Sequence, residues 1–281
     1  MTKNSEVLEQ VVSVMADVRN KKPLVQCITN RVTINDCANI ILAAGGSPTM
    51  AEDLREVEEI VRTAQGLVLN IGIVSESLVE SMLKAGKCAK AAGVPVIFDP
   101  VGVGASALRR DISERILTEV DPDIIRGNIS EIKSLAGVEN KGKGVDAAAE
   151  DVVTEENAEQ FGLIVKNLAA AHQAVVCATG AIDIISDGQE VYYIKNGDSM
   201  LCDVTGTGCM LSALCGAMCG TGELLVGTIA ATVMVGLAGE LAREYVYANN
   251  DGIGTFHVKL LDYIYTMGAN EVRERGKVYH V

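Results

Sequence analysis

The sequence predicts an α/β protein with a mostly parallel central sheet covered by helices. Three observations predict it. Val- and Ile-rich runs alternate with helix-like runs, an Asp-Gly dipeptide separates two of the later strand-like runs, and a nearly apolar stretch near the end must lie inside a fold. The parallel strand candidates are residues 24–29, 66–72, 95–101, 124–128 and 174–180, each a short branched-apolar run that ends on polar or glycine residues. Residues 182–186 and 190–195 flank Asp187-Gly188, which favours a tight turn and predicts an antiparallel hairpin at one side of the sheet. Residues 208–219 and 223–248 read as two long helices. The uncharged part of the second, 224–239, is shorter than a bilayer requires and is broken by Gly and Thr, so it reads as a core helix. Residues 137–151 hold three Gly and several charges and read as a surface loop, followed by a helix start at 154–157.

Bulk composition narrows the function. A chain of 281 residues that is 48% hydrophobic can bury one large core, and residues 1–281 are read as one domain. Its first residues carry Lys3, Glu6 and Glu9 with no apolar run, so the expected location is soluble and cytoplasmic, with no membrane partner. The formal charge of −13 argues against nucleic acid, whose binding depends on clustered Lys and Arg. Any phosphate must therefore be handled locally, by backbone amides, a few cations and metal. The eight cysteines contain no CxxC pair and read as reduced core residues, apart from Cys209. His172, His257 and His280 have no metal-ligand spacing.

Ligands of open parallel sheets bind beyond the carboxyl ends of the strands. Those ends read Thr29-Asn30-Arg31, Asn70-Ile71-Gly72, Asp99-Pro100-Val101-Gly102, Arg126-Gly127-Asn128 and Thr179-Gly180. The strongest single segment is Asp203-Val204-Thr205-Gly206-Thr207-Gly208-Cys209, which leads into an apolar helix. Two glycines let the backbone approach a ligand, and exposed amides at a helix start suit an anion. A bare tight turn is the other reading. The segment is neither a Walker A loop nor a dinucleotide fingerprint at a first βα unit.

This late glycine loop resembles that of the ribokinase-like sugar and vitamin kinases, where it forms an anion hole and usually ends in an aspartate base. Cys209 at the aspartate position is similar to the hydroxyethylthiazole kinase family. Further agreement comes from Gln26-Cys27-Ile28-Thr29-Asn30, Asn35-Asp36-Cys37-Ala38-Asn39, Ser47-Pro48-Thr49-Met50-Ala51, Arg126-Gly127-Asn128-Ile129-Ser130-Glu131, Ala178-Thr179-Gly180 and Gly254-Thr255-Phe256. The resemblance covers roughly residues 20 to 265. One departure is Gly252-Ile253-Gly254, where the family pattern has Gly-Pro-Gly.

The resemblance implies a ribokinase-like fold with helices on both faces of the sheet. It also implies ATP-dependent phosphorylation of the hydroxyl of hydroxyethylthiazole. Amides of Gly206, Thr207, Gly208 and Cys209 would hold the transferring group, and Cys209 would take the alcohol proton. Arg126, Thr179 and Asn128 would serve ATP. Met50 and Gly206, with Asn30 and Cys27 nearby, would serve the alcohol. Asp99 and Glu131 would address Mg2+ through water, and the assembly would be a homotrimer with sites between subunits. Each residue also has a plainer reading: Cys209 and Met50 as core residues, Asp99 and Thr179 as turn formers, Glu131 as a solvated charge, Arg126 as a surface ion pair. A thiol at a helix start is expected to have a lowered pKa. Two other functions stay open, a pyridoxal or hydroxymethylpyrimidine kinase and a sensor that binds without turnover.

Overall fold

The computed structural model describes residues 3–138 and 152–281. Of the loop expected at 137–151, only Gly137 and Val138 fall within them.

All strands among the described residues belong to one sheet, in the order β2-β1-β3-β4-β5-β6-β7-β8-β9. These are β1 (Leu24–Ile28), β2 (Ser47–Thr49), β3 (Gly66–Asn70), β4 (Val96–Asp99), β5 (Ile124–Asn128), β6 (Val175–Thr179), β7 (Asp183–Ser186), β8 (Val191–Ile194) and β9 (Val278–His280). Pairing is parallel from β2 through β6 and antiparallel from β6 through β9. The five parallel candidates and the hairpin are all present. Two edge strands were not expected. β2 is a three-residue strand carrying Pro48, tolerated because an edge strand can spare an N–H, and β9 is a three-residue strand from the end of the chain.

Alternation along the strands separates two faces. Val25, Cys27, Val68, Ile97, Ile124, Val175 and Cys177 point into a core shared with α1 (Lys3–Lys21), α2 (Ile34–Ala44), α8 (Thr207–Cys219) and α9 (Leu224–Asn249). On the other face Leu67, Leu69, Val96 and Phe98 meet α3 (Val57–Val61), α4 (Glu76–Ala92) and α5 (Ala107–Glu119). Ile125, Val176 and Ala178 there meet α6 (Ile129–Leu135) and α7 (Ala158–His172). Helices therefore cover both faces. The segment 154–157 forms a turn before α7 rather than its first residues, with Asn157 Oδ1 accepting from the Thr154 N–H at 2.7 Å. α10 (Ile253–Thr266) and α11 (Ala269–Arg275) complete the chain before β9.

α9 has the length expected for residues 223–248, and at 26 residues it could cross a bilayer by length and composition. Its apolar side chains are instead spent inside the protein, with Ile229, Ala230, Val233, Met234 and Leu237 each no more than 1% exposed.

α8 lies unusually close to the sheet. A Cβ at Gly216 would stand 2.7 Å from Val25 Cγ1 and 2.8 Å from Val68 Cγ2, and a Cβ at Gly66 would stand 2.5 Å from the Gly216 carbonyl oxygen. Only hydrogen fits at either position. Gly66→Ala is expected to destabilise the fold by about 1–3 kcal/mol through overpacking, read as a lower denaturation midpoint in urea. An unchanged midpoint would mean that the helix sits farther out.

Candidate active site

The seat of α8 brings its first turns over the carboxyl ends of the parallel strands. Cys209, its third residue, meets Asn30 beyond β1 and Asn70 at the end of β3; Ser212, one turn on, meets Asp99 at the end of β4. Gly208 lies against Arg126 of β5, where an added Cβ would be 2.8 Å from Nη1. Four strand ends thus converge on one helix start, which matches the expected position of the site.

Cys209 is half-buried. The Nδ2 groups of Asn30 and Asn70 lie 3.2 and 3.3 Å from its sulfur. The expectation of a lowered pKa is corrected here. Burial, followed by the negative charge of Asp99, pushes the Cys209 thiol above its ordinary 9.0, and hydrogen bonds from Thr33 and Asn70 and the charge of Arg126 only partly offset this.

Asp99 is fully buried. Its Oδ2 accepts from Ser212 Oγ at 2.7 Å and from Asn70 Nδ2 at 2.8 Å, and Arg126 Nη1 is 3.7 Å away. Its Oδ1 is buried without a partner. Arg126 is also buried, and its Nη2 donates to Thr179 Oγ1 at 2.6 Å. Asn128 caps α6 by accepting from the Glu131 N–H, while Glu131 returns a carboxylate oxygen to the Asn128 N–H, each at 2.8 Å. The other Glu131 oxygen accepts from the Gly102 N–H at 2.8 Å. Glu131 is therefore no solvated charge. It ties the loop after β4 to the end of β5.

In the glycine loop, Gly206 has φ +89, and a Cβ there would stand 2.4 Å from Thr33 Cγ2. Both conformation and space require glycine. Thr207 donates its hydroxyl to the Leu201 carbonyl at 2.8 Å, anchoring the loop to the preceding 3-10 turn. Met50 follows β2 and is half-buried beside the core, in a segment held by Gln26 Nε2 donating to the Ala51 carbonyl at 2.9 Å. Cys27 is a correction. The alternation of β1 turns its thiol into the core, where it is 1% exposed and cannot meet a ligand.

Three residues of the site were not singled out from sequence. Asn70 was noted only as part of a strand end, and Ser212 is a lone hydroxyl in an apolar helix. Arg109 of α5 donates to the carbonyls of Ile71, Gly72 (2.9 Å) and Val101 (2.7 Å), clamping the loops after β3 and β4 together. A separate cleft of about 630 Å3 opens at the opposite, amino-terminal ends of β3, β4 and β5, between Arg62, Lys90, Asp123 and Gly220. It contains none of these groups.

The sequence model of the hydroxyethylthiazole kinase family matches residues 15–270. The chain belongs to this family. A hydroxyethylthiazole kinase of Clostridium botulinum (strain Eklund 17B / Type B) is 48% identical over 275 residues, 98% of each chain. One of Methanobrevibacter smithii is 40% identical over 284 residues, 99% of each chain. The solved hydroxyethylthiazole kinase of Pyrococcus horikoshii OT3 superposes with a TM-score of 0.86 at 38% identity, covering 97% of this chain and 99% of that one. A pyridoxal kinase from Staphylococcus aureus, at 16% identity and a TM-score of 0.55 over 78% of this chain and 88% of that one, shares the ribokinase-like fold. Ile253, where the resemblance led to an expected proline, is the first residue of α10, a position that suits Pro but does not need it.

Burial, and then the charge of Asp99, raise Glu131 from its ordinary 4.5 to about 7. Asp99 moves in the same direction, chiefly through burial. For a carboxyl raised on folding, the stability it contributes is complete below the ordinary value and is lost as pH rises through the folded one. Glu131→Gln, which cannot titrate, is expected to lessen the fall in unfolding free energy between pH 4.5 and 7, measured by urea unfolding across that range. An unchanged slope would assign the linkage to the other raised carboxyls, Asp99 and Asp183.

Proposed function

We propose that this chain transfers the terminal phosphoryl group of ATP to the hydroxyl of 4-methyl-5-(2-hydroxyethyl)thiazole, forming a phosphate used in thiamine synthesis or salvage. Family membership and the names of the relatives support this reading. The observation that carries it is the Cys209 sulfur, set at the start of α8 behind a glycine loop and held by Asn30 and Asn70 beside Asp99 and Arg126.

Phosphoryl transfer passes through a loose transition state, so positioning and charge stabilisation supply most of the catalysis. The first-turn N–H groups of a helix have no acceptor within it, so the amides of the Gly206–Cys209 turn are available to the transferring oxygens. Gly206 keeps that turn narrow, and Thr207 fixes its approach. Arg126, pinned by Thr179 and backed by Gly208, presents its guanidinium to phosphate. Asn128 holds the end of β5 in place for the nucleotide. Met50 offers a polarizable thioether to the thiazole ring, and Asn30 borders the hydroxyl end. Cys209 accepts the alcohol proton.

The residues present suit a hydrated magnesium ion. Asp99 Oδ1 is a buried oxygen that lacks a partner, and among the described residues there is no cluster of three or more His, Cys, Asp or Glu to cage a metal directly. Asp99 would address the ion's water shell, and Glu131 would act mainly by fixing the loop at Gly102. Magnesium, when bound, neutralises charge on the phosphate oxygens. Eight free cysteines, most of them buried, suit a reducing cytoplasm. Exposed Val32 and Leu42 of the α2 region and Val258 and Tyr265 of α10 suit a subunit contact, as in the homotrimer the family pattern implies. Light scattering is expected to return three chain masses, and an active monomer would overturn the shared site.

ADP release with magnesium-ATP is expected with hydroxyethylthiazole in preference to pyridoxal or hydroxymethylpyrimidine, with the product verified by mass. Binding without turnover would replace the kinase by a sensor. With the thiol raised above 9.0, only a small fraction is thiolate at neutral pH, so kcat is expected to climb with alkaline pH. Cys209→Asp is expected to retain or raise turnover at pH 7 and to lose that climb. Complete inactivity of the folded variant would refute Cys209 as the proton acceptor.

A further inference from the structure

The surroundings of Cys209 contain more polar apparatus than a space-filling thiol requires. Two side-chain amides point at its sulfur, and both have their orientation fixed from behind. Asn30 Oδ1 accepts from the N–H groups of Val32 (3.1 Å) and Thr33 (3.2 Å), and Asn70 Oδ1 accepts from the Gly72 N–H at 2.8 Å. Rotating either amide would set NH2 against backbone N–H, so the donors, not the carbonyls, face sulfur. Of the two hydrogens on Asn70 Nδ2, one serves Cys209 and the other Asp99 Oδ2. Asn70 is fully buried and Asn30 nearly so.

Donors of this kind hold a thiolate more tightly than a thiol, because the anion is the stronger acceptor. The other groups facing the sulfur do not all help. Asp99 from β4 and Cys37 from α2 oppose a negative charge there, while Arg126 from β5 and the Thr33 hydroxyl favour it.

We propose that Asn30 and Asn70 are positioning residues that hold the Cys209 sulfur toward the helix start and stabilise its anion, with Asn70 linking it to Asp99. This rests on the reading of Cys209 as the proton acceptor, and the test separates the two. Cys202, the exposed thiol, is first changed to Ser so that Cys209 is the accessible one. Iodoacetamide labelling of Cys209 is then followed by mass spectrometry across pH, beside kcat and KM for hydroxyethylthiazole. Asn30→Asp keeps an acceptor for Val32 and Thr33 but replaces the donor at sulfur, so it preserves the turn; Asn70→Ala removes the second donor.

Each change is expected to lower the thiolate fraction at a given pH about tenfold or more, the scale of one hydrogen bond to a charged group. A comparable fall in kcat and an alkaline shift of the pH profile are expected to accompany it, with little change in KM for Asn70→Ala, which has no assigned contact with the alcohol. An unmoved labelling midpoint in folded Asn30→Asp overturns the proposal, whether or not Asn70→Ala folds. Because Asn30→Asp also adds a carboxylate that by itself raises a neighbouring thiol, a midpoint shifted in Asn70→Ala as well, with an unshifted kcat profile, upholds the control of the sulfur by the amides and overturns Cys209 as the base.

Discussion

The close seat of α8 on the sheet is the constraint on which the rest depends. Gly66 and Gly216 allow helix and strand backbones to meet where any side chain would collide with a carbonyl or a valine. That contact lies near the far end of the helix, yet it sets where the helix begins. Because a helix transmits position rigidly along its axis, Cys209, Gly208 and Ser212 are delivered to groups on four different strands. Hydrogen bonds of 2.7 to 3.3 Å at those points leave little room for a looser fit.

The charge balance at this junction is lopsided. Asp99, Glu131 and Asp183 are all held above their ordinary range by burial, Glu131 and Asp183 each to about 7, with the single guanidinium of Arg126 among them. A second anion such as a nucleotide would meet repulsion unless it arrived with its own cation. An acidic chain that handles ATP therefore gains from backbone amides and a buried arginine acting together, and the proposed divalent ion would supply further positive charge. The partnerless oxygen of Asp99 suits the water around such an ion.

Much of this was legible in the sequence because it follows from local pattern. The five parallel strands announce themselves by branched apolar runs, the hairpin by Asp187-Gly188, and the site by polar residues at strand ends. β2 and β9 were not legible, since three residues such as Ser47-Pro48-Thr49 carry no period and pair only because a neighbour offers an edge. The place near the alcohol given to Cys27 was at odds with the alternation of Val25 and Cys27, which puts both on one face, in the core. The pKa of Cys209 was misjudged because a helix start is visible in a sequence, whereas burial and a carboxylate from another strand are not. Asn70 escaped a role for the same reason. Its partners Asn30, Gly72, Asp99 and Cys209 meet only in three dimensions.

The thiol itself follows from these surroundings. A carboxylate at position 209 would be the better base at neutral pH, but it would share Asn70 with Asp99 and place a second buried negative charge beside the first. A thiol is neutral at rest and avoids that repulsion. It also leaves too little anion for efficient proton removal, and the role proposed for the two asparagines answers that deficit. Their NH2 groups donate to sulfur, carry no charge, and favour the sulfur anion that must form, by loss of the thiol's own proton, before the alcohol proton can be taken. A group that is neutral at rest, with fixed dipoles that favour its anion, is thus one solution to catalysis beside a buried carboxylate, and the proposed roles of Cys209, Asn30 and Asn70 take that form.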